Sequence, residues 1–265
     1  AERLVCDRHA RGELLRALSS PDCPRVVVDF AAMCPKHLEA VLEAHRARPL
    51  EHYVYVSTNM VYPGGPEGMD ISARDGAWPE EAARLGDAEA APDTYGGRKL
   101  KCEALLQAAF ASEGFPVTVV RPPAVVGPGC DNRHERLQRH VEGLPPLTPK
   151  PNAADAARRG SFRVAYSDDV AQVIALAVER GAAVHGETFN VACEEALTMA
   201  AYVGAVAEAA GRPTPEPPED PSCRNYERQG VVDISKAKRL LGFKPTPVAR
   251  WMPTTVAWHK PLLTG

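Results

Sequence analysis

The chain has 265 residues, 45% hydrophobic and 25% charged, enough apolar material for a sizeable core, which excludes disordered, collagen-like and small disulfide-held classes. A formal net charge of −3 leaves no basic footprint for nucleic acid and no polybasic patch for a membrane surface, so a small molecule or another protein is the expected partner. Seven widely spaced cysteines with no C-x-x-C pair argue against a zinc site, and no apolar run reaches the ~18–20 residues that span a bilayer.

Short β-branched runs alternate with helical patterns along the chain, which predicts a parallel sheet covered by helices. Residues 3–6 read as a short strand and 12–18 as a helix. Residues 25–30 (RVVVDF) form a near-continuous apolar strand, as expected where both faces are covered. Pro35 opens a helix, where its missing N–H costs nothing, and Leu38, Val41 and Leu42 supply the apolar stripe. Residues 52–57 (HYVYVS) are the next strand. From Pro63 to Pro92 the chain is rich in Gly, Pro, Asp and Glu and reads as a surface insertion, with one or two helical turns at 79–85. A strong helix over 95–112 and a strand over 116–121 (PVTVVR) follow, before Pro122, Pro123, Pro128 and Gly129 break the pattern. Beyond that break come a helix at 131–143, a Pro- and Ala-rich loop at 144–160, a strand at 162–166 and a helix at 168–180 that Asp168 or Asp169 can cap. A strand at 188–191, a helix at 198–210 ended by Gly211, and a short helix at 236–241 ended by Gly242 complete the pattern.

Three features point to one crevice: Ser57 to Tyr62 at a strand's end, Tyr95-Gly96-Gly97-Arg98-Lys99 opening a helix, and Arg121-Pro122-Pro123 ending the next strand. Ligands of parallel α/β sheets sit at the carboxyl ends of strands. Tyr95 and Lys99, four apart, project from one helix face. A neighbouring ammonium favours the phenolate, which makes Tyr95 a usable base for proton transfer coupled to hydride transfer, and Thr58 can donate to the same substrate oxygen. Taken alone, Tyr-x-x-x-Lys describes a half-buried tyrosine beside a snorkelling lysine, and Ser57 and Thr58 describe strand-end caps. The order and spacing of all three features favour chemistry.

Together these segments resemble the extended short-chain dehydrogenases/reductases of the NAD-dependent epimerase/dehydratase type. The resemblance implies an α/β fold with a Rossmann-like doubly wound parallel sheet and a smaller C-terminal α/β substrate domain. On that basis residues 1–128 form the dinucleotide-binding domain and 129–265 mainly the substrate domain, with 162–192 packing back on the first sheet. Cys6-Asp7 resembles the family's Gly-Asp, placing Asp7 at adenine, and Phe30-Ala31-Ala32 resembles the H-x-A-A stretch that lines the dinucleotide. Thr58 falls at the catalytic Ser/Thr position, Tyr95 and Lys99 at the Y-x-x-x-K pair that also contacts the cofactor, and Pro122 in the R-P segment near the nicotinamide. The 162–171, 186–191 and 233–245 segments resemble the family's later signatures. NAD or NADP is the implied cofactor, with no metal, and a nucleotide sugar the implied substrate. Asn59, Met60, Asn132, Arg133 and Arg163 are positional candidates for contacting that substrate, and the family's usual homodimer is implied by resemblance alone.

Two departures bear on function. The dehydratases carry Asp-Glu after the catalytic Thr; here Asn59-Met60 supplies no proton at neutral pH, which disfavours sugar dehydration and leaves epimerisation or carbonyl redox. Of 20 glycines only Gly12 lies within the first 63 residues, so the family's opening strand and G-x-x-G-x-x-G phosphate loop are absent and the sequence reads as starting at the third strand. Gly64-Gly65-x-x-Gly68 reads as a turn in the insertion. The expected function is a NAD(P)-dependent nucleotide-sugar epimerase or reductase; the alternative is an epimerase-like accessory or structural subunit of a larger assembly. Cysteine usage fits a reducing compartment, cytoplasmic or, after removal of a targeting segment, an organelle matrix or stroma.

Overall fold

The computed structural model describes residues 5–63, 76–130, 132–144, 160–218 and 225–264, the side chains of residues 132, 133, 136, 225 and 264 excepted. Four strands form one parallel sheet in the order β1 (Val26–Asp29), β2 (His52–Val56), β3 (Val117–Arg121) and β6 (Thr188–Asn190). Val26 stands beside His52, Tyr53 beside Val117 and Val119 beside Thr188, so all four strands end at one edge. Every residue of β2 and β3 is buried, as expected of strands covered on both faces. Among the described residues β1 pairs with β2 alone, and it is correspondingly half-exposed over Val26 to Val28.

Alternation along β2 sends its side chains into two different cores. Tyr53 and Tyr55 join Val117 and Val119 in a cluster with Leu14 of α1 (Arg11–Ser19), Leu38 and Val41 of α2 (Lys36–Ala47), and Leu106 of α3 (Tyr95–Glu113). Val54, Val56 and Val120 face the other way, onto Val170, Val173 and Ile174 of α5 (Ser167–Arg180). A third cluster lies off the sheet. It joins Val126 of β4 (Val125–Val126), Leu137 of α4 (Asn132–Val141), Tyr166 of β5 (Ala165–Tyr166), Val203 of α6 (Met199–Ala210) and Trp251 of α8 (Val248–His259).

The predicted elements are present within a residue or two wherever they are described, with three differences. Arg3 and Leu4 of the first predicted strand lie outside the described residues, and Val5 and Cys6 carry no strand structure. The strand at 162–166 shortens to Ala165–Tyr166, which pairs with β4, because Phe162 instead exchanges two backbone hydrogen bonds with Leu197. The two-residue strand β4 adds to the expected elements, as does helix α8. Its prolines, Pro247 before it and Pro253 within it, read as punctuation, yet Val248, Trp251, Met252, Thr255, Val256 and His259 are all buried at helical spacing. Between Pro63 and α3, the described residues 76–92 hold two short 3-10 helices, Glu80–Ala82 and Leu85–Ala90, and α7 (Ser235–Leu241) ends on Gly242 in the left-handed region. The loop at 144–160 is described only at its ends, and Gly64-Gly65-x-x-Gly68 and Cys223 lie outside the described residues.

Candidate active site

At the carboxyl edge of the sheet a cavity of about 600 Å³ opens between β2, β3 and the first turn of α3. Ser57, Thr58, Met60, Tyr95, Lys99 and Pro122 line it, so the three separated sequence features meet in one place. The sheet explains the meeting: β2 and β3 are neighbours in register, and Ser57 N donates to Val120 O while Asn59 N donates to Pro122 O.

Helix α3 aims its first turn by two local devices. Thr94 Oγ1 accepts from Gly97 N at 3.2 Å, an N-cap that fixes where the helix starts. Gly97 lets that turn press against the preceding chain, since a Cβ there would lie 1.9 Å from Pro92 O. Lys99, four residues after Tyr95, is 1% exposed. Its Nζ donates to Ala32 O at 2.9 Å and Val56 O at 2.8 Å, leaving a third N–H beyond these two bonds. Burial lowers the ammonium's pKa, and the Cys102, Asp29 and Glu103 groups nearby oppose that shift.

Thr58 has an extended backbone and caps the short turn Asn59–Val61: its Oγ1 accepts from Met60 N at 3.2 Å and donates to Asn59 Oδ1 across a long 3.4 Å. A bond that long is readily exchanged for a substrate oxygen. Ser57 Oγ is buried with no hydrogen-bond partner, on the wall of the cavity. Orphaned buried hydroxyls are rare, and one lining a cleft is a group awaiting a ligand.

Asp29 organises the cavity's approach. It accepts from Ala31 N and Ala32 N, from Tyr53 Oη, and from both terminal nitrogens of Arg8 at 2.9 Å. Burial pushes its carboxyl up, but the Tyr53 hydroxyl and Arg8 guanidinium outweigh this and hold it below the usual carboxylate range. On the far side, Arg121 and Glu103 form a buried ion pair, with Nε at 3.0 and 3.1 Å from the two carboxylate oxygens. Arg121 also donates to Glu80 O and to Tyr62 Oη, which in turn donates to Asn190 Oδ1.

The remaining sequence candidates fall in different places. Phe30 lines the cavity and is 63% exposed, a large apolar surface at the mouth. Ala32 is buried and reaches the site through its carbonyl, while Ala31 and Asp7 are exposed. Asn59 is fully buried behind the wall, its Nδ2 donating to Gln229 O at 2.8 Å, whereas Met60 faces the cavity. Arg163 is absent from the cavity lining: its terminal nitrogens donate to Val232 O and Glu194 O, tying two loops together. The side chains of Asn132 and Arg133 lie outside the described residues. Residues not anticipated also line the cavity, namely Cys130, Ser167, Arg228 and Gln229. Cys130 has a sequence signal, the Gly-Pro-Gly turn directly before it; Arg228 and Gln229 lie in a 3-10 turn that no periodicity marks.

The donor set fits the nicotinamide-ribose end of a dinucleotide: a third Lys99 N–H, the orphaned Ser57 hydroxyl and the apolar ring of Phe30 face one cavity. Among the described residues no glycine-rich loop opens a helix to receive a pyrophosphate.

The sequence model of the NAD dependent epimerase/dehydratase family matches residues 36–192, which hold Thr58, Tyr95 and Lys99. No curated protein matches the chain. Among solved structures, dTDP-glucose 4,6-dehydratase from Bacillus anthracis in complex with NAD superposes with a TM-score of 0.73 at 18% identity, covering 97% of this chain and 79% of that one. UDP-glucose 4-epimerase from Thermotoga maritima with UDP-glucose gives 0.71 at 19% identity, covering 97% and 84%. UDP-glucuronic acid 4-epimerase from Bacillus cereus in complex with NAD gives 0.64 at 20% identity, covering 86% and 67%. At these identities the likeness establishes the fold alone, a Rossmann-type α/β chain built on a parallel sheet.

Proposed function

The chain belongs to the NAD dependent epimerase/dehydratase family, and from that membership we propose that it is a NAD(P)-dependent nucleotide-sugar epimerase or reductase in which Tyr95, Lys99 and Thr58 handle the proton. The observation that carries this reading is the convergence of those three side chains with the orphaned Ser57 hydroxyl in one cavity at the carboxyl edge of the sheet. A bound nicotinamide supplies the hydride acceptor or donor. Tyr95 takes the proton from the sugar hydroxyl as its carbon loses hydride, and returns it in the reverse direction. The Lys99 ammonium, fixed by Ala32 O and Val56 O, favours the Tyr95 phenolate and gives its remaining N–H to a ribose hydroxyl. Thr58 exchanges its long bond to Asn59 for one to the same sugar oxygen. Asn59 is locked onto Gln229 O and Met60 has no proton to give, so the residues after Thr58 support no water elimination.

Tyr95→Phe tests this directly. Turnover of a UDP- or dTDP-linked sugar is expected to fall by about 10²–10⁴-fold, the usual worth of a positioned acid–base group, with the thermal midpoint unchanged. Unchanged turnover would remove Tyr95 from the chemistry.

A further inference from the structure

We propose that Cys130 is a reactive thiol on the wall of this cavity, activated by His259 and open to oxidation by hydroperoxides, so that its modification closes the site. The effect on turnover rests on the function proposed above; the reactivity of the thiol does not.

The turn at Gly127 and Gly129, both with positive φ, brings Cys130 onto the cavity wall, with Cys130 N donating to Gly127 O at 3.1 Å. Its Sγ lies 3.4 Å from His259 Nε2 at the end of α8. His259 is 1% exposed and its Nδ1 is buried without a partner. With Nε2 accepting the thiol's hydrogen, the proton of the neutral ring resides on Nδ1. Behind it His134 of α4, fully buried, packs edge-on at 4.8 Å, bonded to Tyr202 Oη of α6 at 3.2 Å and with its own Nε2 unpartnered. Among the described side chains, the charged and titratable groups facing His259 are Cys130, His134 and Glu135. Burial lowers the His259 pKa, against the pull of Glu135, and pushes His134 down to about 3. Both rings are neutral at pH 7, so the Nε2 lone pair is available as a base. Two orphaned imidazole nitrogens behind one thiol make no contribution to packing that an apolar pair would not make better.

The step balances simply. The thiol proton passes to His259 Nε2 as sulfur attacks the distal oxygen of the hydroperoxide; the S–O bond forms and the O–O bond breaks. The departing hydroxide or alkoxide takes the proton from His259 and leaves as water or alcohol. Sulfur is oxidised by two electrons to the sulfenic acid and the hydroperoxide is reduced. Among the described residues no other cysteine sulfur is bonded to an imidazole. Cys102 and Cys193 are fully buried, and burial pushes both thiols up to about 11. Cys6 is exposed, with no imidazole bonded to its sulfur, and serves as the internal reference.

The full chain is treated with hydrogen peroxide at neutral pH, sulfenic acid is trapped with a dimedone probe, and labelling at Cys130 and Cys6 is read by peptide mass spectrometry. Cys130 is expected to label at least about tenfold faster than Cys6, at the low end of general-base assistance. His259→Phe is expected to remove the advantage. The wild-type pH profile guards against a variant that fails to fold: Cys130 labelling persists as pH falls below the ordinary thiol range, while labelling of free cysteine in the same solution declines. Equal rates with parallel profiles overturn the proposal. Turnover of a UDP- or dTDP-linked sugar, followed in parallel, is expected to fall with Cys130 labelling and return with a thiol reductant. Labelling that leaves measurable turnover unchanged overturns closure of the site. Rapid labelling of a protein with no turnover on any such sugar supports the thiol and counts against the proposed function instead.

Discussion

Lys99 places a cation in the core, where two backbone carbonyls, rather than a carboxylate, hold it 2.8 and 2.9 Å away. Lys99→Met takes a charged donor from both carbonyls, leaving Ala32 O its bond from Tyr55 Oη at 3.0 Å, and removes the charge beside Tyr95. The expected cost is roughly 1–3 kcal/mol in all, read from denaturant midpoints. Any residual turnover should need higher pH, because the phenolate loses its neighbouring charge. Ser57 makes the opposite case. Its hydroxyl has no partner in the protein, so Ser57→Ala is expected to leave stability unchanged or slightly raised while weakening dinucleotide binding several-fold, the worth of about one hydrogen bond. A loss of stability with binding intact would show the hydroxyl to be structural. Asp29 carries the pH dependence at this scale. Its folded carboxyl lies below its unfolded value, so its stabilising effect is present above the unfolded carboxyl range and disappears as pH falls through the lowered folded value. Asp29→Asn should accordingly be less stable than wild type at neutral pH, and the gap should close in acid.

Helix α3 shows why spacing alone revealed half of its role. Tyr95, Lys99 and Glu103 repeat every four residues along one face. The first two were legible because both carry chemistry at a recognisable interval. Glu103 was not, because its partner Arg121 ends a strand 18 residues later, and only the sheet brings them together. That pair anchors the helix to the strand whose next residue, Pro122, lines the cavity. Glu103→Gln leaves the guanidinium buried without its counter-charge, for an expected loss of about 3–5 kcal/mol in unfolding free energy. An apolar double replacement of Glu103 and Arg121 should recover most of it. Helix α8 was illegible for a related reason. Pro247 and Pro253 interrupt a buried stripe that is otherwise regular, and Pro253 is tolerated because that stripe packs from Val248 to His259. Arg163 marks the converse limit. An arginine in a family-like segment reads as a ligand contact, but the carbonyls it meets, Val232 and Glu194, come from distant loops that no local pattern predicts.

At the scale of the whole molecule, the parallel sheet was legible from its apolar runs, since strands covered on both faces cannot alternate with polar residues. The cavity followed from strand direction: parallel strands ending at one edge bring the segments after Val56 and Arg121 beside the start of α3. The side of the cavity formed by Cys130, Ser167, Arg228 and Gln229 was not legible, because it is assembled from three separate segments after the sheet's third strand. Family membership and the superpositions agree on the framework, and the chemistry rests on what the cavity does with a sugar. The most direct measurement is rapid-mixing absorbance of the reduced nicotinamide when the purified protein, supplied with oxidised dinucleotide, meets UDP-glucose or dTDP-glucose. A transient reduced-nicotinamide signal that Tyr95→Phe suppresses by about 10²-fold or more is predicted from Tyr95 acting as the base. A wild-type signal that Tyr95→Phe leaves intact, or no signal from a protein saturated with dinucleotide and sugar, would contradict the account.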